Sequence, residues 1–386
     1  MAKVHIALVG GQPAPIFYAI KATKPDKVVY IHSQQTIRTV EFLRQVIQIP
    51  EDRVKPLDAT EPKKIMARVS DLTNKYRKDE VTLNIAGGTK AWSHIFGYIF
   101  QDLKNATVVY MDQNNVLWNY KSMEGTLLNE MTGFEFDMDT HIKLYGNKLE
   151  NYSNIVDFTN DDEKVAKKLE QLWTRMPQEF TPLLSTLTLK QQNFLKTNPI
   201  GSFSTKNDSE VTWQRPSKNN PDVKTSVELV LKTSKSASYQ VLESPHAIDL
   251  AFNTGWFEFK VAKMLSKWNE SKEIRLNCVF PAKVNGAAKN EVDVLVNTGS
   301  KLLFVECKTQ IFNTTDIDKF SSVVKSYGGL GSKGIFITHE KMSDIAKEKC
   351  EQHGLLCFSL KDEHMKMNEQ QALELLLNSA LTAINA

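Results

Sequence analysis

The sequence lacks the features that mark secreted, membrane-spanning or strongly charged proteins. It has only four cysteines in 386 residues, and its formal net charge is +3. The cysteines, at positions 278, 307, 350 and 357, lack the paired spacing of a metal cluster, which favours reduced thiols in a cytoplasmic protein. We find no signal peptide and no apolar run of membrane-spanning length, so we expect no membrane partner.

The nearly balanced charge also limits how nucleic acid is bound. With a net charge of +3, contacts to phosphates must come from local basic patches. Lys260, Lys263 and Lys267 form one such patch, for which an ordinary solvated helix face is the alternative. The length and the 41% hydrophobic content suit two or three domains, each with its own core.

Two short apolar runs in the C-terminal third alternate with a period of two and predict a β-hairpin around Gly299. In the second run, Glu306 and Lys308 share one face and Cys307 lies on the other. Asp293, in the first run, can point into the same cleft. Two carboxylates that converge are costly unless a cation lies between them, and Mg²⁺ or Mn²⁺ suits such oxygen ligands.

A further carboxylate precedes this hairpin. Glu258 lies in a segment with helical spacing, on the same stripe as Val261, Ala262 and Leu265. A buried, unpaired carboxylate is costly, so we expect a partner such as Lys308 or a metal-bound water. The alternative is that Glu258 caps the first turn of its helix.

The spacing of Asp293, Glu306 and Lys308 resembles the PD-(D/E)xK nuclease core, in which an acid on one strand is followed by acid-x-Lys on the next. The resemblance implies that Asp293, Glu306 and the Cys307 carbonyl hold the metal. It also implies that Lys308 orients or activates the attacking water, and that Glu258 is an additional ligand. No proline precedes Asp293, so the chain has only the Asp and Glu-x-Lys parts of the motif.

The N-terminal third has a different pattern, in which short apolar runs alternate with helical spacing. The predicted strands are 4–9, 27–31, 81–85, 106–111 and 116–120. Such βαβ units form a mainly parallel sheet, whose ligands bind at the carboxyl ends of the strands. The candidate ligand loops there are 10–14, 32–34 and 86–90, which contain Gly11, Gln12 and Ser33.

The loop at 86–90 has the clearest chemistry. Gly87 and Gly88 let a ligand approach the backbone, Thr89 offers a hydroxyl, and Lys90 offers a cation at a helix start that favours anions. The loop suits phosphate and ribose, but its glycine spacing is neither that of a Walker A loop nor that of the dinucleotide fingerprint. A simple strand-to-helix turn is the alternative.

Residues 84–90, Asn-Ile-Ala-Gly-Gly-Thr-Lys, resemble a loop of the CARF domain, the CRISPR-associated Rossmann-like sensor of cyclic oligoadenylates. The resemblance implies that this loop and the loop after the first strand embrace the ligand. CARF domains fused to PD-(D/E)xK cores form a group of type III CRISPR effectors, and the two motifs occur here in that order.

The predicted fold class is therefore α/β, with a Rossmann-like CARF domain at 1–125 and a restriction-endonuclease-like domain at 250–386. Residues 126–249 are predicted to connect them, with a small winged-helix-like module as one interpretation. The implied protein is a homodimeric, metal-dependent endonuclease of DNA or RNA, activated by a cyclic oligoadenylate, with cyclic tetra-adenylate the expected messenger. The alternatives are a ligand-gated nucleic-acid-binding regulator and a restriction-type nuclease without a messenger.

Overall fold

The computed structural model describes residues 1–112, 115–128, 130, 137–206, 208–281, 290–299, 301–311, 313–329, 332–362 and 367–382. Across these ranges the chain forms three β-sheets flanked by helices, which confirms the α/β class. None of the described helices combines the length and the apolar character needed to cross a membrane.

The N-terminal sheet has the order β2-β1-β3-β4-β5-β6. Its strands are β1 (Lys3–Leu8), β2 (Lys27–Ile31), β3 (Glu80–Asn84), β4 (Ala106–Met111), β5 (Val116–Asn119) and β6 (Glu124–Leu127). The helices are α1 (Ala14–Thr23), α2 (Ile37–Val46), α3 (Pro62–Lys75) and α4 (Lys90–Gln101). The first four strands are parallel, as predicted, and the last two are antiparallel. The last strand of this sheet, β6, ends at Leu127.

The topology brings the candidate ligand loops together. β1 lies between β2 and β3, and all three strands run in the same direction. The loops that follow them therefore leave the sheet at one edge, where ligands of such sheets bind. Helices cover both faces, so β1 and β2 are almost continuously buried, as is typical of parallel strands.

The connecting region contains a second sheet, which is antiparallel and has the order β11-β10-β9-β8. The helices and strands of the connecting region are α5 (Met138–Leu144), β7 (Asn151–Asn154), α6 (Asn160–Arg175), α7 (Pro177–Phe180), α8 (Leu189–Thr197), β8 (Ile200–Ser204), β9 (Glu210–Gln214), β10 (Ser226–Lys232) and β11 (Ala237–Glu243). All four strands of this sheet lie in the region that the sequence predicts only as a connector. β7 belongs to the sheet of the next domain.

The C-terminal sheet has the order β16-β15-β14-β13-β12-β7. Its further elements are α9 (Ala247–Ala251), α10 (Gly255–Leu265), β12 (Glu273–Phe280), β13 (Asn290–Asn297), β14 (Leu302–Lys308), α11 (Thr315–Tyr327), β15 (Lys333–Thr338), α12 (Asp344–Gln352), β16 (Leu356–Ser359) and α13 (Glu369–Thr382). The predicted hairpin is β13–β14, and β14 to β16 are parallel. This order of elements positions the acidic cluster at the end of the hairpin.

Candidate active site and ligand loops

The two strands that carry the acidic residues separate at the site. Backbone pairing between β13 and β14 ends where Val294 faces Val305. Just beyond, the Oδ2 atom of Asp293 accepts a hydrogen bond from the backbone N–H of Cys307 at 2.7 Å. A side chain thus takes the place of a backbone partner, which fixes the Asp293 carboxylate in the opening between the strands.

Glu306 and Lys308 lie together on one face of β14. The Lys308 ammonium is 2.7 Å from a Glu306 carboxylate oxygen, and the two side chains are 37% and 15% exposed. Cys307, between them, is completely buried on the other face, as the alternation predicts. The ion pair is therefore reachable from solvent, whereas the thiol is not.

The backbone carbonyl of Cys307 is directed towards β13. The carbonyl of Lys308 accepts a hydrogen bond from the N–H of His339, on the opposite side of β14. Because successive residues of a strand direct their backbone groups to alternate sides, the Cys307 carbonyl points towards the side where Asp293 lies. Three oxygen donors therefore face the same region: two carboxylates and one carbonyl.

The cluster carries more negative charge than its lysine neutralises. Burial, reinforced by the charge of Asp293, raises the pKa of Glu306 to about 8, although Lys308 opposes this shift. Burial also raises the pKa of Asp293. For Lys308, burial alone lowers the pKa, but Asp293 and Glu306 outweigh it and raise the pKa above its ordinary value. A cation would relieve this surplus.

Glu258 belongs electrostatically to the same cluster. It lies in the first turn of α10, on the stripe that includes the buried Val261, Ala262 and Leu265. Burial, and then the charge of Asp293, raises the pKa of Glu258 well above its ordinary value. Thr254 is the N-cap residue of α10, and among the described residues no side-chain capping hydrogen bond is seen at this helix start.

The donor set suits a hard divalent cation. Within the described residues, no group of three or more His, Cys, Asp or Glu side chains is arranged to hold a metal ion. The residues that fit are two carboxylates and a backbone carbonyl, from Asp293, Glu306 and Cys307, and all of these donors are oxygen atoms. Mg²⁺ and Mn²⁺ prefer such donors and complete their shells with water.

Two lysines of the predicted basic patch, Lys260 and Lys263, lie on the side of α10 away from Glu258. Lys260 and Lys263 follow Glu258 by two and five residues, which at about 100° per residue puts them on the opposite face of α10. Lys260 pairs with Glu170 at 2.9 Å, and Lys263 pairs with Glu163 at 2.6 Å. These contacts tie α10 to α6. The helical angle and these ion pairs argue against phosphate contacts of Lys260 and Lys263 beside the acids.

At the N-terminal sheet, the loops after β1 and β3 touch each other. A Cβ atom added at Gly87 would lie 2.3 Å from the carbonyl oxygen of Leu8 and 2.8 Å from the backbone nitrogen of Gly10. Gly88 has a φ of +78°, a conformation that favours glycine. Gly11 has open space where its side chain would be. Glycine is therefore required where the loops meet.

Thr89 and Lys90 begin α4 in different ways. The Thr89 hydroxyl accepts a hydrogen bond from the N–H of Trp92 at 3.2 Å and donates one to the carbonyl of Ala59 at 2.8 Å. Its proton is thus engaged within the protein, and Thr89 acts as an N-cap. Lys90 is exposed. Of the two side chains, Lys90 is the one available to an anionic ligand.

The other two predicted contacts differ in accessibility. Ser33 is only 9% exposed, and its N–H donates to the Thr36 hydroxyl at 3.1 Å, so it stabilises its own turn. Gln12 is half-buried and accepts a hydrogen bond from the hydroxyl of Tyr145 at 3.3 Å. Gln12, Gly87 and Lys90 therefore remain the stronger candidates for ligand contacts.

Asn84 is a further polar residue at the ligand loops, and it is not among the ligand contacts predicted from the sequence. Asn84, the last residue of β3, is completely buried, and its Oδ1 accepts a hydrogen bond from the N–H of Ala86 at 2.9 Å. Its Nδ2 has no partner among the described residues. The sequence signal for Asn84 is its position as a polar residue at the end of an apolar strand, because a buried polar side chain is costly without a partner.

Two family models match the chain. Residues 4–133 match the Card1 CARF domain, and residues 248–372 match the Card1-like endonuclease domain. The first range includes the glycine loops and the second includes the acidic cluster. No curated protein matches the chain by sequence.

Solved structures share the fold over the whole chain. Can2 from Sulfobacillus thermosulfidooxidans in complex with cyclic tetra-adenylate is 18% identical, with a TM-score of 0.65 and 100% of both chains covered. Protein VC1899 from Vibrio cholerae is 14% identical, with a TM-score of 0.68, and the match covers 99% of this chain and 98% of that one. A type III CRISPR defence DNA nuclease activated by cyclic oligoadenylate is 14% identical, with a TM-score of 0.56, and covers 99% of this chain and 52% of that one.

Proposed function

Because the chain joins a Card1-type CARF domain to a Card1-like endonuclease domain, we propose that it is a metal-dependent nuclease activated by a cyclic oligoadenylate. The observation that carries this proposal is the acidic opening of the hairpin, where Asp293 is held by the N–H of Cys307 beside the Glu306–Lys308 pair. The reaction is hydrolysis of a phosphodiester bond in DNA or RNA. Cyclic tetra-adenylate is the first messenger to test, since the structural relative Can2 is bound to it.

At the nuclease site, Asp293, Glu306 and the Cys307 carbonyl would hold Mg²⁺ or Mn²⁺. When bound, such an ion lowers the pKa of a coordinated water and polarises the phosphate. Lys308, held by Glu306 at 2.7 Å, stabilises the negative charge that develops on the phosphate. Glu258, whose pKa is raised by burial, orients the attacking water.

At the sensor site, the ligand contacts the edge of the sheet where the loops after β1 and β3 meet. The N–H groups of Gly87 and Gly88 and the ammonium of Lys90 suit phosphate and ribose oxygens at the start of α4. Gln12 supplies a neutral amide from the loop after β1. A two-fold symmetric ring would be bound by two copies of the chain, so we propose a homodimer with duplicate contacts.

A cleavage assay tests this function. Labelled single- and double-stranded DNA and RNA are incubated with Mg²⁺, Mn²⁺ or EDTA, with and without cyclic tetra- or hexa-adenylate. Metal-dependent cleavage stimulated by one messenger is the expected result. Equal cleavage without messenger would indicate a restriction-type nuclease, and messenger-dependent binding without cleavage would indicate a regulator.

A further inference from the structure

A short helix between the two matched domains belongs to both of their hydrophobic cores. Met138 and Ile142 of α5 are buried in the core of the nuclease sheet, together with Phe304. Leu144, at the end of the same seven-residue helix, is buried in the core of the sensor sheet. Movement of α5 relative to one domain would therefore disturb its packing against the other.

An ion pair fixes α5 to the nuclease sheet. Asp139 accepts hydrogen bonds from the guanidinium of Arg275 on β12, at 2.6 and 3.3 Å. The Arg275 side chain is only 7% exposed and also contacts Glu273 at 2.7 Å. Partly buried, bidentate contacts of this kind hold a defined orientation. The ion pair therefore holds α5 against β12.

Tyr145, the residue after α5, contacts the ligand loop and the nuclease domain at once. Its hydroxyl donates to the Oε1 atom of Gln12 at 3.3 Å, in the loop after β1. Its ring lies on Gly329, where an added Cβ would be 2.2 Å from the ring. Gly329 has a φ of +68°, so a glycine is favoured there both by its backbone conformation and by the closeness of the ring.

The chain around Gly329 leads to the acidic cluster. The ring of Tyr327, at the end of α11, stacks on Phe280 with 4.1 Å between ring centroids. The Tyr327 hydroxyl also accepts a hydrogen bond from Asn290 at 2.7 Å. Asn290 is the first residue of β13, and Asp293 is three residues further along that strand. Contacts therefore run without interruption from Gln12 to the strand that carries Asp293.

We propose that Tyr145 couples occupancy of the ligand loop at Gln12 to the position of α11 and β13. The inference rests on the proposed function and names how its nuclease site is regulated. A ligand that bonds the Gln12 amide competes with the Tyr145 hydroxyl, and the close packing on Gly329 passes the displacement of the ring to α11. Coupling of this kind is reciprocal, so nucleic acid at the nuclease site must also change the affinity for messenger.

Tyr145→Phe tests the proposal because it removes the hydroxyl and keeps the ring. The ratio of messenger-stimulated to unstimulated cleavage should fall about three- to tenfold, the effect of one neutral hydrogen bond. Because the variant lacks the contact that the messenger would displace, the ratio should fall through higher unstimulated cleavage, while the melting temperature should stay near that of the wild type. Tyr239→Phe is the matched control, because its exposed hydroxyl also makes a 3.3 Å hydrogen bond, to Glu228. That variant should keep the wild-type ratio.

A second readout does not depend on turnover. Messenger affinity is measured by calorimetry in EDTA, with and without nucleic acid. Wild type should show a difference in messenger affinity between the two conditions, and Tyr145→Phe should make that difference smaller. If the hydroxyl had only a structural role, the effect of nucleic acid on messenger affinity would be the same in Tyr145→Phe as in wild type.

The outcomes separate the inference from the proposed function. An unchanged activation ratio in a folded Tyr145→Phe protein overturns the coupling role, provided that the wild type is stimulated. If the wild type is not stimulated by any cyclic oligoadenylate, the proposed function itself is overturned. Tyr145→Leu, which also removes the ring from Gly329, should lower the ratio further than Tyr145→Phe; an equal or smaller effect would contradict transmission through Gly329.

Discussion

The carboxylate of Asp293 accepts a hydrogen bond from the backbone N–H of Cys307 at 2.7 Å, where the two strands of the hairpin separate. This contact keeps Asp293 beside the Glu306–Lys308 pair without any metal. Burial, together with the charge of the nearby Asp293, raises the pKa of Glu306 to about 8. The two carboxylates therefore carry more negative charge than Lys308 neutralises.

Removal of one acid should abolish both cleavage and stabilisation by metal. Glu306→Gln keeps the shape of the side chain but takes away a carboxylate donor, and we expect cleavage to fall at least about a hundredfold. Mn²⁺ should raise the melting temperature of the wild type, since it binds the folded state, and should have little effect on the variant. Calorimetric melting with Mn²⁺ or EDTA checks this. An equal Mn²⁺ shift in both proteins would argue against this metal site.

Glu258→Gln should stabilise the protein when metal is absent. Burial and repulsion from Asp293 raise the pKa of this carboxyl, so a neutral amide of the same shape relieves an unfavourable interaction. The melting temperature in EDTA at neutral pH should therefore rise, while cleavage in Mn²⁺ should fall. Glu270→Gln, on an exposed residue, is the control and should change neither. A lower melting temperature in Glu258→Gln would instead indicate a structural hydrogen bond.

Lys90→Ala should weaken activation without harming the nuclease site. A charge-assisted contact to a phosphate contributes about 1.5–3 kcal/mol, which is roughly one to two decades in affinity per site. The half-maximal messenger concentration should rise accordingly, and saturating messenger should restore part of the activity. Lys104→Ala, an exposed lysine beyond the other end of α4, serves as the control. An activation curve that does not move in Lys90→Ala would remove this residue from the sensor site.

Acid should unfold the protein partly through Glu170, which ties α6 to the nuclease domain. Hydrogen bonding to His339, with Lys260 beside it, lowers the pKa of Glu170 from 4.5 to about 2, although burial opposes the shift. A depressed pKa stabilises the fold above pH 4.5, and this contribution is lost as the pH falls towards 2. The free energy of unfolding of wild type should therefore fall by about 2 kcal/mol more than that of Glu170→Gln over this range. Denaturant melts at several pH values check it, and parallel curves for the two proteins would contradict it.

The hairpin and the glycine loop could be predicted because their signals are local. Alternation along β14 places Glu306, Cys307 and Lys308 on their faces, and consecutive glycines before a helix start indicate the tight loop at Gly87. Such patterns depend on neighbours within a few residues. The sequence alone therefore predicts the hairpin and the tight loop, and the roles of their residues in a site stay predictions.

Other features depend on contacts that are distant in the sequence. The Thr89 hydroxyl donates to Ala59, 30 residues away, and Tyr145 reaches Gln12 across 133 residues. Periodic patterns in the sequence do not reveal pairs of residues that are so far apart along the chain. β8 is not evident from the sequence because its side chains are mostly exposed, so it lacks the apolar alternation of a half-buried strand. The lysines of α10, by contrast, could have been excluded from the cleft by the helical angle between them and Glu258.

The most direct test of the account is cleavage by wild type and Glu306→Gln in Mn²⁺, with and without cyclic tetra-adenylate. The sensor loops and the acidic cluster lie in different domains, so messenger binding should be the same in both proteins while cleavage differs. We predict stimulated cleavage by wild type, none by Glu306→Gln, and equal messenger affinity by calorimetry. Stimulated cleavage at the wild-type rate in Glu306→Gln would contradict the assignment of the nuclease site to this hairpin.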